Sequence, residues 1–271
     1  MNQIYINRLI TQRISKKFLT LIFLFLLFPI FVNAFTLLIK FSEGGLSRFD
    51  MYILLFDNTA PNQDRTISTV YVLLLTLPCV LYRGKQTRAY LYTTNYTFLL
   101  KHQNRIYFAI SEIITNMLTA LIVSGFTVLF LFVFVSFMPV TRCFTLFEEL
   151  DSMSECALIV SVFILSTIRI LFLLSLQEIC FILTDFDYLS ILLCILSIGL
   201  PILYPQFALP YPLSSVQLVS FFKEDIPLLA IIYNFGWILV LTLAFFAKVL
   251  LIGIPNHITT KFGGKINVVN L

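Results

Sequence analysis

Charged side chains are scarce in this chain: Asp, Glu, Lys and Arg make up only 12% of its 271 residues, against about a quarter in a soluble domain. A water-exposed shell around a soluble core is therefore excluded. Histidine is nearly missing, and His102 and His257 both fall outside the apolar runs, so no zinc site is expected within a membrane. The five cysteines include no C-x-x-C pair. Cys79, Cys180 and Cys194 lie in or at the ends of apolar runs, where a thiol behaves as a small apolar group. Cys143 and Cys156 bracket one loop, where a disulfide is geometrically conceivable. There is no G-x-x-x-x-G-K-[ST], no H-E-x-x-H and no G-x-S-x-G, and Gly263-Gly264-Lys265 is too short to cradle a nucleotide phosphate. Neither an enzyme nor a resident cofactor is expected.

What the chain has in quantity is apolar length. Hydrophobic residues make up 59% of it, with 29 Phe. They cluster into six runs at about 18–39, 66–82, 106–139, 157–183, 188–205 and 227–254. These runs are apolar on all sides, as lipid-facing helices are. The reading is an all-α polytopic membrane protein forming a single transmembrane domain over 1–271, with six transmembrane helices. Runs 66–82 and 188–205 are near the minimum of about 17 residues needed to cross a bilayer core. Run 106–139 is too long, about 51 Å as one helix, so one end stands clear of the hydrocarbon or the helix is broken. The first run is too long for a signal-peptide core, and an uncleaved helix is expected in which Pro29 and Asn33 introduce a kink or face a neighbour.

Lys and Arg alternate from loop to loop. The N-terminal segment, the loop after the second run and the C-terminal end hold twelve, the alternate loops five, and Arg169 lies inside the fourth run. The positive-inside rule then puts both termini in the cytoplasm of a multi-pass cell-membrane protein. The net charge of +4 is mostly this topology signal and no nucleic-acid footprint.

Three stretches outside the runs carry further pattern. In residues 2–17, Ile6, Leu9, Ile10 and Ile14 share a helical face, with Arg8, Gln12, Arg13, Lys16 and Lys17 elsewhere. This describes either an N-terminal interfacial helix or a basic flank that serves topology alone. Residues 83–105 form the longest cytoplasmic loop, free of acids, with Arg83, Lys85, Arg88, Lys101 and Arg105. Tyr92, Tyr96, Leu99 and Leu100 fit one helical face of it. Such a segment either packs into a partner's groove with bases at the rim or lies on anionic headgroups. Residues 206–225 are too short to cross and too apolar for an ordinary loop, which suits a re-entrant or interfacial segment between the fifth and sixth spans. Within the spans, Glu112 and Arg169 are the costly groups. Either they pair, with Asn116 and Gln177 completing a polar cluster, or Arg169 snorkels while Glu112 stays in water.

This layout, and the stretch Leu99-Leu100-Lys101-His102-Gln103-Asn104-Arg105-Ile106-Tyr107-Phe108 leading into the third span, resembles the ABC exporter permeases of the type-2 class. Small bacterial members of that class often accompany bacteriocin export or immunity systems. The chain departs from many of them in having no Glu in the loop after the second span. The resemblance implies a separate ATPase subunit docking on 83–105 and 2–17, and a second permease copy as homodimer or paired subunit. It implies export of a hydrophobic or peptide substrate. A stand-alone membrane sensor or immunity protein and a secondary transporter are the alternatives; no inverted repeat between spans 1–3 and 4–6 favours the latter.

Overall fold

The computed structural model describes residues 14–40, 47–57, 65–93, 102–137, 154–184, 187–203, 213 and 227–252. Among them the chain forms seven α-helices and no strand: α1 (Lys16–Lys40), α2 (Arg48–Asp57), α3 (Arg65–Thr93), α4 (His102–Ser136), α5 (Glu155–Thr184), α6 (Asp187–Leu203) and α7 (Pro227–Ala247). A π-helical turn at Lys248–Ile252 ends α7. Five helices, α1, α3, α4, α5 and α7, are long and apolar enough to cross a membrane. The apolar part of α6, Tyr188–Leu203, is shorter.

The long helices α1, α3, α4 and α7 are placed by their end contacts. Phe18 at the start of α1 stacks on Tyr82 late in α3 at 5.5 Å, while Phe31 near the end of α1 meets Phe134 near the end of α4. Phe108 early in α4 packs with Phe245 and Val249 at the end of α7. Lys16, Lys17, Lys85, Arg105 and Lys248 therefore gather at one end of the bundle, the basic end. The α5 helix is the hub, packing on α2, α3, α4, α6 and α7. It is the most enclosed of the long apolar helices, with 61% of its apolar window buried, while α7 is the least, at 22%.

Three expectations shift. The second helix runs on past 82 to Thr93, through Gly84, whose missing Cβ admits the Gln177 amide. The third span is one unbroken helix of 35 residues, so its excess length is carried as protruding helix. At the N-terminus, Ser15 caps α1 by accepting from the Phe18 N–H at 3.2 Å, which places Lys16 and Lys17 within the span's own helix. The remainder of 2–17, before residue 14, lies outside the described residues.

Polar residues inside the spans mostly satisfy themselves locally. Thr115 donates to Ser111 O, Ser124 to Ala120 O and Thr127 to Val123 O, each four residues back along α4. With no water in the hydrocarbon, such back-bonding keeps these hydroxyls partnered. The ionisable groups cannot be satisfied this way and need partners on other helices.

Candidate functional site: two buried ion centres

The first centre is built on α2, a helix not expected from the apolar runs. Its sequence, RFDMYILLFD, has only six consecutive apolar residues, yet every side chain from Asp50 to Asp57 is buried. A capping box starts it. The Ser47 hydroxyl accepts from the Asp50 N–H at 3.0 Å, and the Asp50 carboxylate accepts from the Ser47 N–H at 3.2 Å and from its hydroxyl at 2.6 Å. At the rim, Arg48 pairs with Glu155 at 2.9 Å, and the Tyr52 hydroxyl donates to the same carboxylate at 3.1 Å.

From there α2 descends into the bundle beside α5. A helix end inside an apolar bundle leaves carbonyls that need donors. Neighbouring helices supply two: Asn33 Nδ2 of α1 donates to Leu54 O at 2.9 Å, and the Tyr71 hydroxyl of α3 donates to Leu55 O. Asp57, the last residue, accepts from Arg169 at 2.7 Å, and the guanidinium also lies 4.6 Å from the centroid of the Phe56 ring. Arg169 stands well along α5 from Glu155, and its long side chain, tilted toward the helix N-terminus, reaches back to Asp57. A cation at a helix C-terminus is also favoured by the helix dipole.

The second centre lies toward the basic end and ties α3, α4 and α5 together. Two pairs of side chains one turn apart interlock there: Arg83 and Thr87 on α3, Glu112 and Asn116 on α4. Arg83 Nη2 pairs with Glu112, Arg83 Nε donates to Asn116 Oδ1 at 3.2 Å, and the Thr87 hydroxyl donates to Glu112 at 3.3 Å. The Arg83 and Glu112 side chains are only 1% and 0% exposed. The carboxyl of Glu178 on α5 faces Glu112 and Asn116, is 93% buried, and its Oε1 has no hydrogen-bond partner. The guanidinium is thus taken by Glu112, with Glu178 beside the pair. Beside Glu178 a cavity of about 210 Å³ opens between α4, α5 and α7.

The expected cluster of Glu112, Asn116, Arg169 and Gln177 is divided by this arrangement. Glu112 and Asn116 do share a face and a partner, but the partner is Arg83; Arg169 serves Asp57 in the other centre. The reason is depth: Arg169 stands about 13 Å along α5 from Glu178, which reaches the Glu112 level. Neither snorkelling nor solvation of these groups occurs, since both are buried. The Gln177 amide lies against Gly84, where an added Cβ would come within 2.0 Å of its Nε2.

Of the residues expected to meet a partner, Arg83 is in the core and cannot form a surface contact. Lys85 is exposed and Arg105 half-buried. Arg88 and Tyr92 belong to the last turns of α3. Tyr96, Leu99, Leu100 and Lys101 lie outside the described residues, as does 206–225 apart from Leu213, whose N–H donates to Asn234 of α7 at 2.8 Å. Cys156 is a free, exposed thiol, and Cys143 is outside the described residues.

Asp57, Tyr71 and Glu178 were missed as site residues. A signal for α2 existed in Ser47-Arg48-Phe49-Asp50, a capping-box pattern ahead of an apolar run. Glu178 directly follows Gln177, but the spacing alone does not say which of the two faces α4. Comparison of the chain with family models, curated proteins and solved structures finds no match.

Proposed function

We propose that the chain is the membrane-spanning permease subunit of an ATP-driven exporter of the type-2 ABC class. In this reading α6 is the sixth crossing, 206–225 is re-entrant, and the basic end, with both termini, faces the cytoplasm of a cell membrane. ATP hydrolysis comes from a separate subunit, a second permease copy completes the pathway, and the cargo is hydrophobic or peptidic.

One observation carries the reading. Helices α3 and α4 both continue into the basic segment 83–105, to Thr93 and from His102. At its root they are locked by the buried Arg83–Glu112–Asn116 contacts. A push on that segment would be delivered to two spans, and through Glu178 to the hub helix, as a rigid-body shift. This is what a coupling element needs.

The test is affinity purification of the tagged chain in mild detergent, with and without Asp at positions Tyr92, Tyr96 and Leu99. A Walker-motif ATPase is expected to travel with the unmodified chain in stoichiometric amount and to be lost from the triple variant. Unchanged recovery with the variant would refute the coupling role. Recovery of the chain alone would refute the permease reading in favour of a sensor or immunity protein. The buried carboxyl of Glu178, with one oxygen unpartnered, favours one further reading, a secondary transporter. Ion-gradient-driven uptake into proteoliposomes holding only this chain would establish that instead.

A further inference from the structure

The two ion centres account for five of the buried charges, and Glu178 is left over. It lies on the hub helix, 93% buried, with one carboxylate oxygen unpartnered. The charged groups around it are Glu112 and Arg83, and that guanidinium already pairs with Glu112, so Glu178 has no cation of its own to meet its ionised form. Inside a membrane-spanning bundle an uncompensated carboxylate is costly, and a cation placed against it would be strongly held.

The space for such a cation is present. The cavity of about 210 Å³ is lined by Glu178 and Asn116 on one side and by Leu171, Ile238 and Phe245 on the other. Two hydroxyl residues, Ser175 and Thr242, complete its polar edge. A cavity of about 150 Å³ holds a benzene ring, so this one suits an aromatic or branched ammonium head. The mouth is formed by Met117, Phe235 and Leu239, all exposed on the side where α7 faces lipid. Phe235 and Phe245 add ring faces that attract an organic cation. The wall is too apolar for a hydrated metal ion, which needs several oxygen ligands.

We propose that this cavity is a binding site for lipophilic organic monocations, a quaternary or protonated amine with apolar substituents. The ligand enters from the bilayer between α4 and α7, and Glu178 is its counter-ion. The site is independent of any ATPase: the chain alone should bind, so failure here and failure of the export reading are separate results.

The test uses the full chain in lipid nanodiscs and two probes of similar shape, benzyltrimethylammonium and its neutral carbon isostere neopentylbenzene. Saturable one-to-one binding of the cation is expected. Glu178→Gln, which keeps the side-chain shape, should weaken it at least ~10-fold and leave the neutral probe unchanged. Met117→Trp, at the lipid-exposed mouth, should block both probes and keeps the test decisive if Glu178→Gln does not fold. Equal cation affinity in Glu178→Gln, cation binding undiminished by Met117→Trp, or no saturable binding to monodisperse unmodified chain would overturn the proposal.

Discussion

The two buried centres of this bundle solve the same problem in opposite ways. At the inner end of α2 the groups are matched: Asp57 meets Arg169, and the terminal carbonyls of Leu54 and Leu55 each have a donor. Around Arg83 they are not: the guanidinium is taken by Glu112, and Glu178 keeps an unpartnered oxygen beside a cavity. A closed network is a structural brace, because every member loses a partner if any is removed. An open one is where a ligand, a proton or a conformational change can act. Buried charge alone therefore does not mark function; an unpartnered atom beside open space does.

The sharpest way to break the comparison is one chemical change made in both places. Asp57→Asn leaves Arg169 buried without a counter-ion and should cost about 3–5 kcal/mol, seen as a large fall in thermal stability in detergent. Glu178→Gln replaces a carboxyl with one unpartnered oxygen at constant shape and should change stability by less than ~1 kcal/mol or raise it. Similar losses in both variants would mean that the second centre is also closed. Replacing both members of the first pair, Asp57→Leu with Arg169→Met, should recover most of the stability, since a buried pair is often matched by apolar residues.

A smaller effect tests whether the neighbours of α2 satisfy its end. Tyr71→Phe and Asn33→Leu each remove one donor and should cost about 1–3 kcal/mol, read by the same thermal assay. The two losses should not simply add, because the Asn33 amide also hydrogen-bonds the Tyr71 hydroxyl. Losses below ~0.5 kcal/mol would indicate that other groups take over these carbonyls. The smallest effect lies at the start of α2, where Ser47→Ala should cost about 1 kcal/mol. Proteolysis or hydrogen exchange would report it as local opening of 47–57 before the spans loosen.

Much of the architecture was legible because lipid imposes a simple rule. A helix facing hydrocarbon must be apolar over its full length, so the runs announced α1, α4 and α5 to within a few residues, and the starts of α3 and α7. The α2 helix escaped that rule. It is enclosed by other helices and need not be long, so six apolar residues between charges passed as loop. The site was half legible. Glu112 and Asn116 share a face at one-turn spacing, which the sequence states outright. Their partner Arg83 was assigned to the following loop because the apolar run stops just before it, although the helix does not.

The sequence by itself determined that the chain is helical and apolar enough to live in a membrane, and which of its residues carry costly charge. Those are local properties, set by composition and by a period of about 3.6 residues. Only the tertiary structure decided that Arg169 belongs to Asp57 and Arg83 to Glu112, and that Glu178 is left over beside a cavity. Which charge meets which depends on the depth and rotation of helices far apart in the chain. Those are fixed by how whole helix faces pack, a property no single segment contains.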